Sequence, residues 1–374
     1  MIYLDSAATS LRKPAAVERA VLHAIRAMAS PGRGGHAPAM LAAETVYACR
    51  EAAAALFHVP DPSQVVFTMN ATHALNIAIR SLVRPGTRVL ISGFEHNAVT
   101  RPLHAIGTDV RIAGRRLFDR EAMLREWRET LPEADVAVCT MVSNVFGCVL
   151  PVEEIAGLCR KAGVKLIVDA SQAAGVLPVD FESLGAAYVA MPGHKGLMGP
   201  QGTGILLCGE EGEPLLQGGS GSESRLQSMP AALPERLEAG THNVCGIAGL
   251  LEGIRYVSQK GTECILAHET QLLRTAVDCL EGVGFELFTG PEGTQCGVLS
   301  LRCPWEDCEE LAGRLAARGV CVRAGLHCAP TAHESAGTLE TGTLRLSFSP
   351  FLSPRELTQA CSVLREESEK TKRN

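Results

Sequence analysis

The chain contains no apolar run of the roughly 18 residues that a membrane-spanning helix requires. Its start, MIYLDSAATS, lacks a basic stretch followed by an apolar one, so no secretory leader is read there. Basic clusters are missing outside the final KTKRN, and the formal charge is −6. That balance argues against nucleic acid or a membrane surface as a partner. Aromatic residues are scarce at 4%, which speaks against a β-sandwich core, whereas 37 glycines suit the tight strand-to-helix turns of an α/β protein. The fourteen cysteines include no C-x-x-C pair, and the closest two are Cys303 and Cys308. This is not the spacing of a zinc or iron–sulfur ligand set, so no metal is expected. Cys139 in VAVCTMV, Cys159 in IAGLCRKAG and Cys208 in GILLC sit inside apolar runs and read as small buried hydrophobes. Unpaired cysteines without an export signal point to a reduced cytoplasmic interior.

What is present is a regular alternation. QVVFTM is followed by ATHALNIAIRSLV, where Asn70 can cap a helix whose Leu75, Ile79 and Leu82 share one face. TRVLIS, ADVAVCTMV, VKLIVDA, AAYVAM and GTGILLC follow as apolar strands. PVEEIAGLCRKAG lies among them as a helix, with Pro151 at its start and Gly163 past its end. Near-continuous apolar strands spaced by helices imply a mostly parallel sheet covered on both faces. Ligands then bind beyond the carboxyl ends of the strands. That places Asn70–Thr72, Glu95–His96, Ser143–Asn144, Asp169–Gln172 and Gly193–Lys195 around one crevice. After about residue 255 the pattern becomes α+β. A long helix ends near Gly284, FELFTG, CGVLSLRCP, VCVRAG and GTLRLSF read as strands, and CEELAGRLAARG and SPRELTQACSVLREESEK read as helices. The charged tail after Ser368 is expected to fray. At 374 residues the chain suits a large domain with a smaller one: 15–255, and 1–14 with 256–374.

Three groups at strand ends bear on chemistry. NATH opens a helix whose free amides and positive end favour a phosphate, with the Thr72 hydroxyl as a further donor, although capping alone explains it equally well. VDASQ puts Asp169 at the end of a very apolar strand, where a carboxylate is costly unless paired, for instance with a protonated pyridine nitrogen. PGHKGLMGPQGTG sets Lys195 among glycines, where a lysine can lose its proton and form a Schiff base with an aldehyde. Together they meet the needs of pyridoxal 5′-phosphate: a phosphate site, an acid for the pyridinium and a Schiff-base lysine.

With YLDSAAT, GRGGH, NATHALN, EHNAV, VSNVFG, VDASQAAG, GHKGLMGPQGTG, EAGTHN, RAGLHCAP and LRLSF in order, the chain resembles the class V aminotransferase family nearly end to end. Within it, the short RAGLHCAP loop resembles that of the Suf-type cysteine desulfurase and selenocysteine lyase group. The resemblance implies a fold type I pyridoxal-phosphate enzyme, with a mostly parallel seven-stranded sheet and a smaller α+β C-terminal domain. It makes Lys195 the Schiff-base lysine, stacks His96 on the pyridine ring, and pairs Asp169 with the ring nitrogen. Gln172 would bond the phenolic oxygen, and Thr72 with the adjacent Ala71, together with His194, would hold the phosphate. Asn144 and Arg345 would hold the substrate carboxylate, while Arg323 and His36 would shape the substrate pocket. Thr241 would reach the phosphate of a neighbouring subunit, implying a homodimer. Cys328 would accept sulfur from L-cysteine as a persulfide, for delivery to an acceptor protein. Whether that sulfur serves iron–sulfur cluster assembly or another pathway stays open.

Two departures stand out. Pro192 occupies the place of a usual hydroxyl donor two residues before His194, and Leu326 stands where a second histidine often precedes His327. An exposed thiol titrates near ~8.5, so a cation such as Arg323 or a protonated His327 is expected to raise the reactive thiolate fraction of Cys328. Three other readings remain at this point. One is a selenocysteine lyase, one is an aminotransferase or lyase in which Cys328 is incidental, and one is a non-catalytic assembly subunit.

Overall fold

A computed structural model describes the backbone of residues 1–32 and 34–373 and side chains as far as Lys370. Arg33 of the GRGGH motif and Asn374 lie outside the described residues. After β1 (Ile2–Tyr3) the chain enters a seven-stranded sheet made of β2 (Val65–Thr68), β3 (Arg88–Ser92), β4 (Asp109–Ala113), β5 (Val136–Thr140), β6 (Lys165–Asp169), β7 (Tyr188–Pro192) and β8 (Gly204–Cys208). Their order across the sheet is β2-β8-β7-β6-β5-β3-β4. Pairing is parallel from β7 to β4, and only β8 runs against its neighbours β2 and β7. The fold is therefore the mostly parallel α/β sheet that the apolar runs predict. One strand escapes that pattern: β4 is a largely exposed edge strand, DVRIA, without the continuous apolar character of its neighbours.

The sheet is buried on both faces. Leu90, Val168 and Ile205 belong to one apolar cluster, which also encloses Trp127, and Ile91, Ile167 and Leu206 to another. The helix Ala71–Leu82 begins where Asn70 predicts, its side-chain oxygen accepting from the His73 amide at 2.9 Å. The helix Val152–Ala162 ends on Gly163 in the left-handed conformation.

The C-terminal part forms a second sheet from β9 (Glu286–Phe288), β10 (Val298–Arg302), β12 (Arg323–Gly325) and β13 (Thr343–Ser347), in the order β12-β13-β10-β9. VCVRAG, read from sequence as one strand, is in fact two. β11 (Val320–Cys321) pairs in parallel with β1, and after Val322 the chain switches to β13. Here Ile2 and Leu4 join a core with Leu299, Leu344 and Leu364. The closing helix Pro354–Arg373 continues past Ser368, the point where fraying was expected.

The approach of two turns fixes the position of Lys195. A Cβ on Gly175 would lie 2.3 Å from the Gly196 carbonyl oxygen, and one on Gly196 would lie 2.3 Å from the Ala174 carbonyl oxygen. Gly175 also has φ +86°, a conformation that strains any other residue. Gly175→Ala is expected to cost about 2–4 kcal/mol, combining left-handed strain with overpacking. Urea denaturation checks this, and a loss under about 1 kcal/mol would show that the turns can separate.

Candidate active site

The carboxyl ends of β5, β6 and β7 open onto a cavity of about 210 Å³. Its wall brings together Ala71 and Thr72, His96, Asn144, Asp169 and Gln172, His194 and Lys195, and Arg323, Cys328 and Arg345. These residues come from more than six separate stretches of chain, so only the fold unites them. Glu95, Ser143, Ala170 and Gly193 do not line it, and two further sequence candidates stay outside. Thr241 lines a different cavity with His73 and His242, and His36 is exposed ahead of the helix Ala37–Phe57.

Burial holds the Lys195 amine down to about 8, helped by the like charges of Arg345 and Arg323 and opposed by Asp169 and Asp5. A sizeable neutral fraction is thus present near neutrality, as Schiff-base chemistry requires. Asp169 is buried, with one oxygen accepting from the Ser171 amide at 2.9 Å. His96 caps the next helix, its Nδ1 accepting from the Ala98 amide at 3.0 Å. Burial keeps this ring neutral by lowering it to about 4. His194 is likewise lowered to about 4 by burial, and its Nδ1 sits 3.0 Å from the Thr9 hydroxyl. Gln172 donates from Nε2 to the Ala7 carbonyl at 3.0 Å.

Arg345 is almost fully buried. Its Nη2 pairs with Asp5 Oδ1 at 2.7 Å, its Nη1 donates to the Asn144 carbonyl at 2.8 Å, and its Nε has no partner. The YLDSAAT stretch gives no sign of this role for Asp5, because its partner lies 340 residues away. The Asn144 side chain is committed elsewhere, donating to the His327 carbonyl at 2.8 Å.

The Cys328 loop follows β12. His327 and Cys328 are both left-handed, at φ 49° and 57°, which costs non-glycine residues roughly 1–2 kcal/mol each. Two donors hold them: Asn144 at the His327 carbonyl, and the Asn97 amide at the Cys328 carbonyl, 2.8 Å away. Cys328 is exposed at the cavity mouth. The expectation that a protonated His327 assists it fails. His327 is buried, its Nε2 lies 3.1 Å from both the Thr343 carbonyl and hydroxyl, and burial pushes it down to about 2. Arg323, Arg345 and Lys195 are the basic side chains that line the same cavity as the thiol.

Glu95, grouped by sequence with the crevice, lies beneath it instead. Its Oε1 accepts from the Ser92 hydroxyl and from the Thr140 amide, its Oε2 has no partner, and burial raises it to about 8 with Asp169 adding to the effect.

A family model described as aminotransferase class-V matches residues 2–359. The chain belongs to the class-V aminotransferase family. A probable cysteine desulfurase of Methanothermobacter thermautotrophicus is 32% identical, with 98% of this chain and 94% of that protein covered. A cysteine desulfurase of Serratia proteamaculans is 29% identical over 88% of this chain and 84% of its own length. Among solved structures, the apo form of a cysteine desulfurase from Thermococcus onnurineus superposes with a TM-score of 0.90 at 28% identity, covering 99% of this chain and 95% of that one. A cysteine desulfurase of Escherichia coli in an S-sulfonic acid form gives 0.84 at 26%, covering 98% and 94%. The cofactor of this class-V family is pyridoxal 5′-phosphate, and the cavity fits it. First-turn amides at Ala71 and Thr72 have no intrahelical acceptor, Asp169 is a buried acid, and Lys195 is a lysine of lowered basicity. Among the described residues no cluster of side chains suited to a metal is found, and no helix is long and apolar enough to cross a membrane.

These burials predict a pH optimum of stability for the cofactor-free protein. His96, His194 and His333 are held to about 4, and His327 to about 2, against 6.5 when unfolded. Below pH 6.5 the unfolded chain takes up protons that the folded chain refuses, so stability falls with falling pH. Glu95 and Glu269 are raised to about 8 from 4.5, so the folded chain keeps protons that the unfolded chain sheds, and stability falls as pH rises towards 8. The four histidines outweigh the two acids below pH 6.5. The Tm between pH 5 and 8 is therefore expected to peak near 6.5, and a steady rise across that range would contradict these assignments.

Proposed function

We propose that this protein is a pyridoxal-phosphate-dependent cysteine desulfurase that converts L-cysteine to L-alanine and takes the sulfur onto Cys328. The observation that carries this reading is one cavity shared by a half-buried lysine, a buried acid, a buried arginine and an exposed cysteine. When bound, the cofactor supplies an electron sink for charge developing next to the substrate nitrogen. Asp169 would hold its ring nitrogen, the Ala71–Thr72 turn and His194 its phosphate, and Gln172 its phenolic oxygen. The neutral His96 ring would stack on its face.

Arg345 receives the substrate carboxylate through a charge-assisted contact, exchanging part of its hold on Asp5. The Lys195 amine takes the proton from the substrate Cα and returns it as an acid, a role suited to a base lowered to about 8. The Cys328 thiolate attacks the substrate sulfur. An S–S bond forms and the carbon–sulfur bond breaks, with its electron pair returning to the substrate carbon skeleton. Protonation then gives alanine and leaves a persulfide on Cys328. The exposed loop offers the persulfide to an acceptor protein, of the kind used in iron–sulfur cluster assembly.

We further propose a cytoplasmic homodimer. Thr241 and His36 lie outside this chain's cavity and would serve the partner's. Leu22, Ile25, Met40 and Tyr47, exposed on the helices Ala15–Ala27 and Ala37–Phe57, supply apolar surface for the contact. The proposed division is 15–255, and 1–14 with 256–374, and the helix Val244–Lys260 spans that boundary.

Steady-state production of sulfide and alanine from L-cysteine with a reductant tests the activity. Arg345→Ala is expected to raise KM at least tenfold, the loss of a charge-assisted contact worth about 1.5–3 kcal/mol. Asp5→Asn should raise KM less and be partly rescued by Asp5→Glu. No alanine from the wild type would overturn the proposal.

A further inference from the structure

Behind Lys195 lies a second, narrower cavity of about 40 Å³. It shares Ala7, Val142, Gln172 and Lys195 with the main cavity. Its far wall carries Glu269, from the helix Thr262–Leu280. That side chain is only 6% exposed, and burial alone accounts for its rise to about 8. No hydrogen bond or ion pair to it occurs among the described residues. The mechanism above makes no use of it.

An unpartnered carboxyl group taken out of water is costly, and ordered water is the usual remedy. A space of 40 Å³ takes roughly three waters at ~10–15 Å³ each. Ser6, Ser10, Gln172 and Ser349 give the wall polar groups for such waters. Gly297 leaves room for the carboxyl, since a Cβ there would fall 2.7 Å from the Glu269 Cβ and 2.8 Å from its Oε2. The position thus joins a buried acid, a polar water-sized space and the back of the lysine that must move a proton.

We infer that this cavity is a water-filled proton path and that Glu269 is the proton-exchanging group at its end, in communication with Lys195. A proton passing from the carboxyl through the waters to the amine leaves a carboxylate and an ammonium, with no change in net charge and no other reactant. Glu269 does not line the main cavity, so it acts through Lys195 as a positioning residue for charge. Few other titratable groups face the path. Cys296 lines it, with a thiol pushed up by burial, and Lys13 stands behind Ser10, 2.7 Å from its hydroxyl. Ser347–Ser349 bring two hydroxyls and a phenyl ring. The helices Val244–Lys260 and Pro354–Arg373, packed on the same helix, contribute no wall residue. On its own helix the neighbouring His268 bonds the Leu352 carbonyl at 2.9 Å.

The inference rests on Lys195 being the cofactor-carrying lysine, and its test separates the two. The full-length, pyridoxal-phosphate-loaded protein is titrated through its visible absorption band, and its protonated carboxyl absorption is recorded in the infrared in H₂O and D₂O. The wild type should show a buried carboxylic acid at neutral pH that Glu269→Gln lacks. The band midpoint should fall by about half a pH unit or more in Glu269→Gln, because the acid ionises over the same range near 8 and its carboxylate then holds the proton on the lysine nitrogen, which an amide cannot do, and should largely recover in Glu269→Asp. A normal band with an unmoved midpoint, or a buried-acid signal that Glu269→Gln leaves unchanged because Glu95 alone carries it, overturns this inference alone. A wild type without any band overturns the lysine assignment and the inference with it. Should Glu269→Gln fail to fold, Ser6→Leu fills the path and keeps the acid. It should then slow deuterium exchange at the carboxyl severalfold, and unchanged exchange would overturn the path.

Discussion

The protonation of one amine governs this cavity. Lys195 faces two guanidinium groups, Arg345 and Arg323, and two carboxylates, Asp169 and Asp5. With the nearby histidines neutral, three potential cations meet two anions, and burial makes that surplus costly. The lysine relieves it by giving up its proton easily, and an anionic ligand relieves it by binding. One imbalance therefore both draws a phosphate-bearing cofactor and a carboxylate substrate and frees the amine to react. The glycine contact between residues 175 and 196 matters because it holds the amine where all four charges act on it.

The Cys328 loop solves a different problem. A thiol that must enter the cavity and also face a partner belongs on an exposed turn, yet a loose turn would waste reactive encounters. Two consecutive left-handed residues make the turn sharp, and the clamps from Asn97 and Asn144 hold it there. His327 supports the turn as a neutral, buried ring bound to Thr343 and is not a source of charge. The Leu326 departure then removes a polar group from the loop's exposed side and leaves that inner support intact.

Much of the fold was legible because its strands are apolar throughout and its helices carry clear stops: Asn70 at one start, Gly163 at one end. β4 was invisible because an exposed edge strand has no reason to be apolar. The split of VCVRAG at Val322 depends on which partner strands are near, which no local pattern records. At the site, strand-end placement grouped Asp169, Lys195, His96 and Asn144 correctly in space. It could not separate Glu95, one residue from His96 but turned beneath the sheet end. Nor could it see that Asp5 reaches Arg345 across the whole chain, or that Glu269 lines one narrow cavity with Lys195 from a helix that reads as ordinary. Side-chain direction and long-range pairing, not composition, decide those cases.

The central claim is that Cys328 takes the sulfur, and a single turnover with L-cysteine tests it most directly. Wild type and Cys328→Ser, both loaded with cofactor, are mixed with one equivalent of L-cysteine, and alanine and protein-bound persulfide are measured together. Matched amounts of alanine and persulfide in the wild type, with neither formed by Cys328→Ser despite normal cofactor binding, is the predicted result. Alanine released by Cys328→Ser at the wild-type rate would contradict it and leave the cysteine without a role in the chemistry.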